Sequence, residues 1–380
     1  MRNTHKPEVS KITYQSNLEE CSELLKNLES LLAITLVDLN NDPYVISLRK
    51  KQGRKNEEKL NKVLSSGKTF CRMELISLNL RARVIHSELG SWAADVFVAT
   101  CVERFRDQLS TRTENDFFGE WDDSEKLYLG QFLSQLTPLI TRRWGSEPVN
   151  DALSQKVKLL MKSITESYDE GSRVIIFAEQ RTTVIMLAHL LSVHPSMTGI
   201  VTGHFLGTSN YANRKSNITE LSTPRDQKDT LNDLRTGKKS VLVATSVLEE
   251  GIDVPACNMV VCFDPPKELR SFIQRRGRAR DKESKLILFM DNSNMDGRFK
   301  WTTMEEQLTS IYSDNMRVLE EIERKENSED EEDSQQFFRI PTTEFVAKIN
   351  ETISAKLTDN TGLFSITRMH ASTWLISAQQ

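Results

Sequence analysis

The stretch "FIQRRGRAR" (272–280) carries Arg275, Arg276, Arg278 and Arg280 within six positions and no acid among them. Four cations so close repel one another, so folding alone gives no reason for the cluster. Such a run reads as a solvated face, a localisation signal or an anion site. Two features favour the anion. Gly277 interrupts the run where backbone without a side chain suits close approach to a ligand. Upstream, "MVVCFD" (259–264) reads as a buried strand, and "PPKELRSFIQ" (265–274) as a helix started by Pro265 and Pro266. Arginines on a strand–helix frame are positioned, and a positioned guanidinium cluster matches phosphate oxygens.

A second site is "VLVATSVLEEGIDVP" (241–255). A buried strand runs into Thr245 and Ser246, then two acids, then Gly251, Ile252 and Asp253. Ligands of open α/β sheets bind beyond the carboxyl ends of strands. Hydroxyls there suit a phosphate oxygen, and Asp253 could accept from a ribose hydroxyl. An ordinary helix cap is the other reading of Thr245 and Ser246. The third site, "VTGHFLGT" (201–208), places Gly203 and His204 at a strand end, and "NYANRKSN" adds Arg214 and Lys215. All three are expected at one edge of one sheet. A Gly-Lys-Thr at 67–69 imitates a phosphate loop, but position 62 is Lys where the loop needs Gly. A charged helix precedes it rather than a strand, so Lys68 is a decoy.

The frame for these sites divides near residue 150. Leu18, Cys21, Leu24, Leu25, Leu28, Leu31 and Leu32 recur at helical spacing. The same period runs through 75–105 with Leu75, Leu78, Val84, Ile85, Leu89, Trp92 and Val96. Residues 1–149 therefore read as all-α, with room for one short strand near 8–14. Beyond 150, helices at 151–168, 181–193 and 225–236 alternate with strands at 172–178, 198–204, 240–245, 259–264 and 285–290. That alternation argues for a doubly wound parallel sheet. A charged helix at 303–325 leads into the acidic run 326–336, read as a linker. Residues 337–380 carry no clear period.

Of 380 residues, 27% are charged and 38% hydrophobic, an ordinary globular composition. The net charge of −4 excludes a globally basic nucleic-acid binder, so any polyanion site is local. The five cysteines form no CxxC pair and read as free thiols of a reducing compartment. No apolar run approaches ~18 residues, and the N-terminus lacks a signal-peptide core. These features point to a soluble cytoplasmic protein, with the nucleus as the alternative and no membrane partner.

Read together, "RVIIFAEQR", "VTGH", "LNDLRTGKKSVLVATSVLEEGIDVPACNMVVCFD" and "SFIQRRGRARDKESKLILFM" resemble the second RecA-like domain of superfamily 2 helicases, Dicer and Dicer-like proteins above all. The match covers roughly 150–325. "GKTFCRMELISLNLRARVIHSELGSWAADVFV" (67–98) is similar to their helical insertion. The resemblance implies roles for matching residues. Thr245, with Ser246, would grip the RNA backbone, and Gly203 and His204 would track it. Gly251, Asp253 and Gln274 would lie near the nucleotide. Arg278 would be an arginine finger toward the γ-phosphate of ATP and Arg280 its partner. The two arginines stand two apart, as in Dicer-type sequences, where many helicases space them three apart.

No GxxxxGK[ST] and no acidic helicase box occurs, and no paired acidic signature of a ribonuclease III site. ATP and Mg²⁺ are therefore expected on a first RecA-like domain absent from this sequence, which reads as a fragment. Residues 337–380 would begin a Dicer-type dimerisation domain or form a tail. Two functions follow. One is the carboxyl half of an ATP-dependent Dicer-type helicase acting on double-stranded RNA in silencing and antiviral defence. The other is a non-catalytic RNA- or partner-binding module.

Overall fold

The computed structural model describes residues 7–16, 20–110, 118, 120–141, 147–148, 150–207, 215–221, 225–249, 252–292 and 310. The chain divides into two compact units, 1–296 and 297–380. Ser310 aside, the expected helix at 303–325, the acidic linker and the tail lie outside the described residues.

The first unit is built on a six-stranded, wholly parallel sheet ordered β1-β6-β5-β2-β4-β3. The strands are β1 (Glu8–Tyr14), β2 (Val174–Phe177), β3 (Thr202–Phe205), β4 (Val241–Ala244), β5 (Met259–Cys262) and β6 (Lys285–Asp291). Every residue of β2, β4 and β5 is buried, as expected when helices cover both faces of a parallel sheet. The short strand at 8–14 joins this sheet, pairing Glu8 with Lys285 through Tyr14 with Asp291.

Between β1 and β2 lies a helical layer. It comprises α1 (Glu23–Val37), α2 (Pro43–Lys50), α3 (Arg54–Ser66), α4 (Phe70–Leu89), α5 (Ser91–Ser110), α6 (Asp123–Ser134), α7 (Thr137–Thr141) and α8 (Gln155–Ser167). The remaining helices are α9 (Arg181–Val193), α10 (Arg225–Thr236) and α11 (Leu269–Arg276). One continuous core joins Leu28, Leu78, Phe97 and Leu129 of the layer to Ile176, Val243 and Phe289 of the sheet. Among the described residues no helix is long and apolar enough to cross a membrane.

The helical period across 75–105 is carried by two helices, α4 and α5. Gly90 breaks it with φ +106, and a Cβ there would lie 2.3 Å from the Ala152 carbonyl oxygen. The chain entering α8 packs directly on this corner. Ser154 N–H donates to Leu89 O at 3.0 Å and its hydroxyl to Glu88 O at 2.7 Å. Two positions on, Trp92 stacks on His189 of α9 at 6.1 Å. The "ELGSWAA" stretch thus seats the helical layer on the sheet domain. Val84, expected inward, is on the outer face beside exposed Leu80, while Leu75, Leu78, Ile85 and Leu89 are buried.

Pro265 and Pro266 do not start α11. The helix begins at Leu269 after Glu268 in extended conformation (φ −142, ψ 160). A proline disfavours helical backbone in the residue before it, so Pro266 works against a helix starting at Pro265.

The Gly-Lys-Thr decoy is a helix corner. Gly67, at φ +63, ends α3 in the left-handed conformation. Thr69 caps α4, accepting from Arg72 N–H at 3.2 Å and donating to buried Asp42 at 2.6 Å. Lys68 projects outward between them. Lys68→Ala is expected to leave nucleotide and RNA binding unchanged; a cross-link from an ATP analogue to residues 60–70 would overturn this.

Candidate functional site

The segment that follows β4 and the far end of α11 converge on one cavity of about 470 Å³. Asp253, Gln274, Gly277, Arg278 and Arg280 line it together with Glu249 and Ile252. The structure thus brings the arginine cluster and the β4 exit together. Gly251 lies outside the described residues.

Arg278 is held rather than solvated. Its Nη1 donates to Ile252 O at 2.7 Å and its Nη2 to Glu249 O at 3.0 Å. Burial, with Arg280 nearby, lowers its pKa below the usual guanidinium value. Arg280 is exposed, and its Nε donates to Gly277 O at 2.9 Å. Asp253 projects its carboxylate almost wholly into solvent, while its carbonyl accepts from Arg235 at 2.7 Å.

Arg275 faces inward, 6% exposed. Its Nε pairs with Glu249 Oε1 at 2.8 Å and its Nη1 donates to Asp264 O at 2.7 Å. Its guanidinium lies 5.0 Å from the Phe177 ring centroid. Ser271 Oγ donates to the other Glu249 oxygen at 2.6 Å. Glu249 is therefore the hub of the site, its carboxylate holding α11 and its carbonyl holding Arg278. In the sequence it is one of two acids with no evident role. The signal in the sequence is a carboxylate five residues past the end of β4 in a protein with an uncompensated arginine run.

Thr245 differs from expectation. The hydroxyl, expected exposed, is buried and donates to Leu206 O at 3.3 Å. It makes no side-chain cap bond to the turn that follows. Ser246 is exposed at the same strand end. Thr245→Ala is accordingly expected to destabilise the fold by about 1 kcal/mol, the worth of an ordinary buried hydrogen bond. Thermal melting checks this. An unchanged melt with weakened RNA binding would instead assign the hydroxyl to a ligand.

Gly203 and His204 do not reach the cavity. They lie within β3, paired with Leu242 and Val243, rather than in a loop beyond it. A Cβ on Gly203 would stand 2.8 Å from Lys239 Cδ and 3.0 Å from Thr230 Cγ2, so the glycine makes room for α10 and its exit. Lys215, expected beside them, pairs with Glu125 at 2.8 Å over the Phe70 ring. Arg214 lies outside the described residues. The three segments do leave the sheet at one edge, since β3 runs parallel to β4 with Phe205 beside Ala244, but only two of them line the cavity. A strand-end loop and a strand interior look alike when short apolar runs are read one at a time.

All five cysteines are unbridged. Burial pushes the Cys257 thiol up to about 12 and the Cys262 thiol to about 11, so neither is a nucleophile. Among the described residues no group of three or more His, Cys, Asp or Glu could hold a metal ion.

Residues 155–282 match the helicase conserved C-terminal domain. The chain is 41% identical over 343 residues to Dicer-like protein 2 of Coccidioides immitis (strain RS), covering 90% of this chain and 23% of that protein. It is 39% identical over 336 residues to Dicer-like protein 2-1 of Aspergillus niger, covering 84% of this chain and 23% of that one. The chain thus spans about a quarter of the curated relatives it matches. A solved structure, the Pyrococcus furiosus Hef helicase domain, aligns over 78% of this chain and 58% of its own, with 22% identity and a TM-score of 0.35.

Proposed function

We propose that this chain, which matches the helicase conserved C-terminal domain over residues 155–282 and is 41% identical over 343 residues to a Dicer-like protein 2, is the second motor half of an ATP-dependent helicase acting on double-stranded RNA. In this reading residues 1–149 are the helical insertion and 150–325 the second RecA-like domain. The observation that carries it is Arg278, fixed by two backbone carbonyls at a cavity it shares with Arg280, Gln274 and Asp253. A rigidly held guanidinium beside a second cation suits a triphosphate, and the donor set fits that group.

ATP, with Mg²⁺, would be held by a first RecA-like domain and would supply the phosphoryl group. Arg278 then stabilises negative charge on the transferring group with a planar fork that needs no reorganisation. Arg280, exposed at the surface with its Nε on Gly277 O, adds a second positive charge. Gln274, Asp253 and Gly251 orient the nucleotide, and Thr245, Ser246, Gly203 and His204 face RNA. For Thr245 and Gly203 that role requires the strand ends to open, since both are engaged in packing. The biological setting of this reading is RNA silencing and antiviral defence.

The test is ATP turnover with double-stranded RNA, for the chain alone and joined to a first RecA-like domain. The chain alone is expected to show no turnover, because the phosphate-loop lysine and water-positioning acid are not in it. The joined protein is expected to show RNA-stimulated turnover. RNA binding by the chain alone is expected to be weak, each phosphate contact contributing about one unit of salt slope. Turnover by the isolated chain, or none in the joined protein, overturns the reading; the latter, with RNA binding intact, favours a non-catalytic RNA-binding module.

A further inference from the structure

We infer that Lys156 is a positioning residue for Arg278, carrying the seating of the helical layer to the arginine site through one unbroken line of polar contacts. Lys156 is 2% exposed. Its ammonium pairs with Glu88 in the last turn of α4 and, at 3.0 Å, with Asp264 at the exit of β5. It also lies 3.9 Å from the Phe263 ring centroid and 5.0 Å from that of Tyr14 in β1. Asp264 O accepts from Arg275, Arg275 pairs with Glu249, and Glu249 O accepts from Arg278, at 2.7, 2.8 and 3.0 Å.

Stability alone is a poor reason for this lysine. An apolar side chain of similar volume avoids the cost of burying an ammonium and is often the more stable choice. What a buried cation provides is geometry. The Asp264 carboxylate is shared between Lys156 and the Glu179 N–H, at 3.0 and 2.6 Å. That leaves Arg275 only the Asp264 carbonyl and directs its Nε to Glu249. Burial opposes the charge on Lys156, but Asp264 and Glu88 outweigh it and raise its pKa, so the cation persists. Without that charge, the Asp264 carboxylate competes for the Arg275 guanidinium. Arg275 then leaves Glu249, and the Glu249 backbone that holds Arg278 loosens. The α4–α5 corner at Gly90 sits at the other end of the line, so a shift of the helical layer reaches the arginine through Glu88 and Lys156.

This inference rests on the proposed ATPase, and the experiment separates the two. In the full chain joined to a first RecA-like domain, with saturating double-stranded RNA, Lys156→Met is expected to lower kcat about tenfold, within the range of mutations along a coupling network. KM for ATP should stay within about twofold, while Lys156→Arg should keep most turnover. In an Arg278→Ala background, Lys156→Met should cost nothing further, because its effect passes through that arginine. A merely structural lysine would give additive losses, which overturn the inference, as would wild-type turnover in Lys156→Met. Should Lys156→Met not fold, Glu88→Gln replaces it, with an expected loss of about threefold that vanishes on Arg278→Ala. An additive or absent effect there likewise overturns the inference. If Arg278→Ala itself leaves turnover intact, the proposed ATPase role is what fails.

Discussion

Arg278→Ala, in the chain joined to a first RecA-like domain, is expected to lower kcat by about a thousandfold or more, the range of arginine fingers. RNA affinity should stay near wild type, because the role proposed for Arg278, which lines the cavity beside Arg280, is toward the nucleotide. The same side chain ties down Ile252 O and Glu249 O. The variant should therefore also lose about 1–3 kcal/mol of stability from acceptors left without donors. A melting curve measured alongside separates the effects, since a few kcal/mol leaves a protein of ordinary stability mostly folded. Arg278→Lys should rescue poorly, because a point charge cannot span two carbonyls and a phosphate as a planar fork does. Arg276→Ala, at the end of α11 and outside the cavity lining, should cost little. Equal losses at Arg276 and Arg278 would mean that the run acts as a diffuse basic patch, and the finger assignment would be wrong.

Gly90→Ala should produce the largest loss of stability. At φ +106 and ψ 175 the backbone is in a region that side chains rarely adopt. The added Cβ would also meet Ala152 O at 2.3 Å, Leu153 Cα at 2.8 Å and Ser154 N at 2.8 Å. All three are backbone atoms, which cannot rotate away. Strain and clash together should cost about 3 kcal/mol or more, lowering the melting temperature by about 6–12 °C in a domain of this size. Gly171→Ala is the control, because Gly171 also has positive φ (+89) with nothing within 4 Å of its Cβ position. It should show the conformational cost alone, about 1 kcal/mol. Equal melting for the two variants would mean that the corner yields, and that the close approach at Gly90 is not what seats the helical layer.

Residue order alone determined the parts whose signal is local. The apolar runs of β2, β4 and β5 are legible because both faces of those strands are buried, and the helices because one stripe of each is. The arginine run and the β4 exit were legible as one site, since each follows a buried strand and parallel strands bring their carboxyl ends to one edge. Tertiary structure decided what each buried face meets. Lys156 reads as one more surface cation on an amphipathic helix until Glu88, 68 positions away, and Asp264, 108 away, are brought to it. Nothing local in the sequence tells what Gly67, Gly90 and Gly203 each make room for. The first ends a helix, the second admits another backbone and the third admits α10 and Lys239. Thr245 keeps its hydroxyl from solvent because the β3 exit lies beside it. Periodicity reports that a position is buried; the identity of its neighbour is a non-local contact, and at this site the non-local contacts set which arginine is tied inward to Glu249 and which stays exposed.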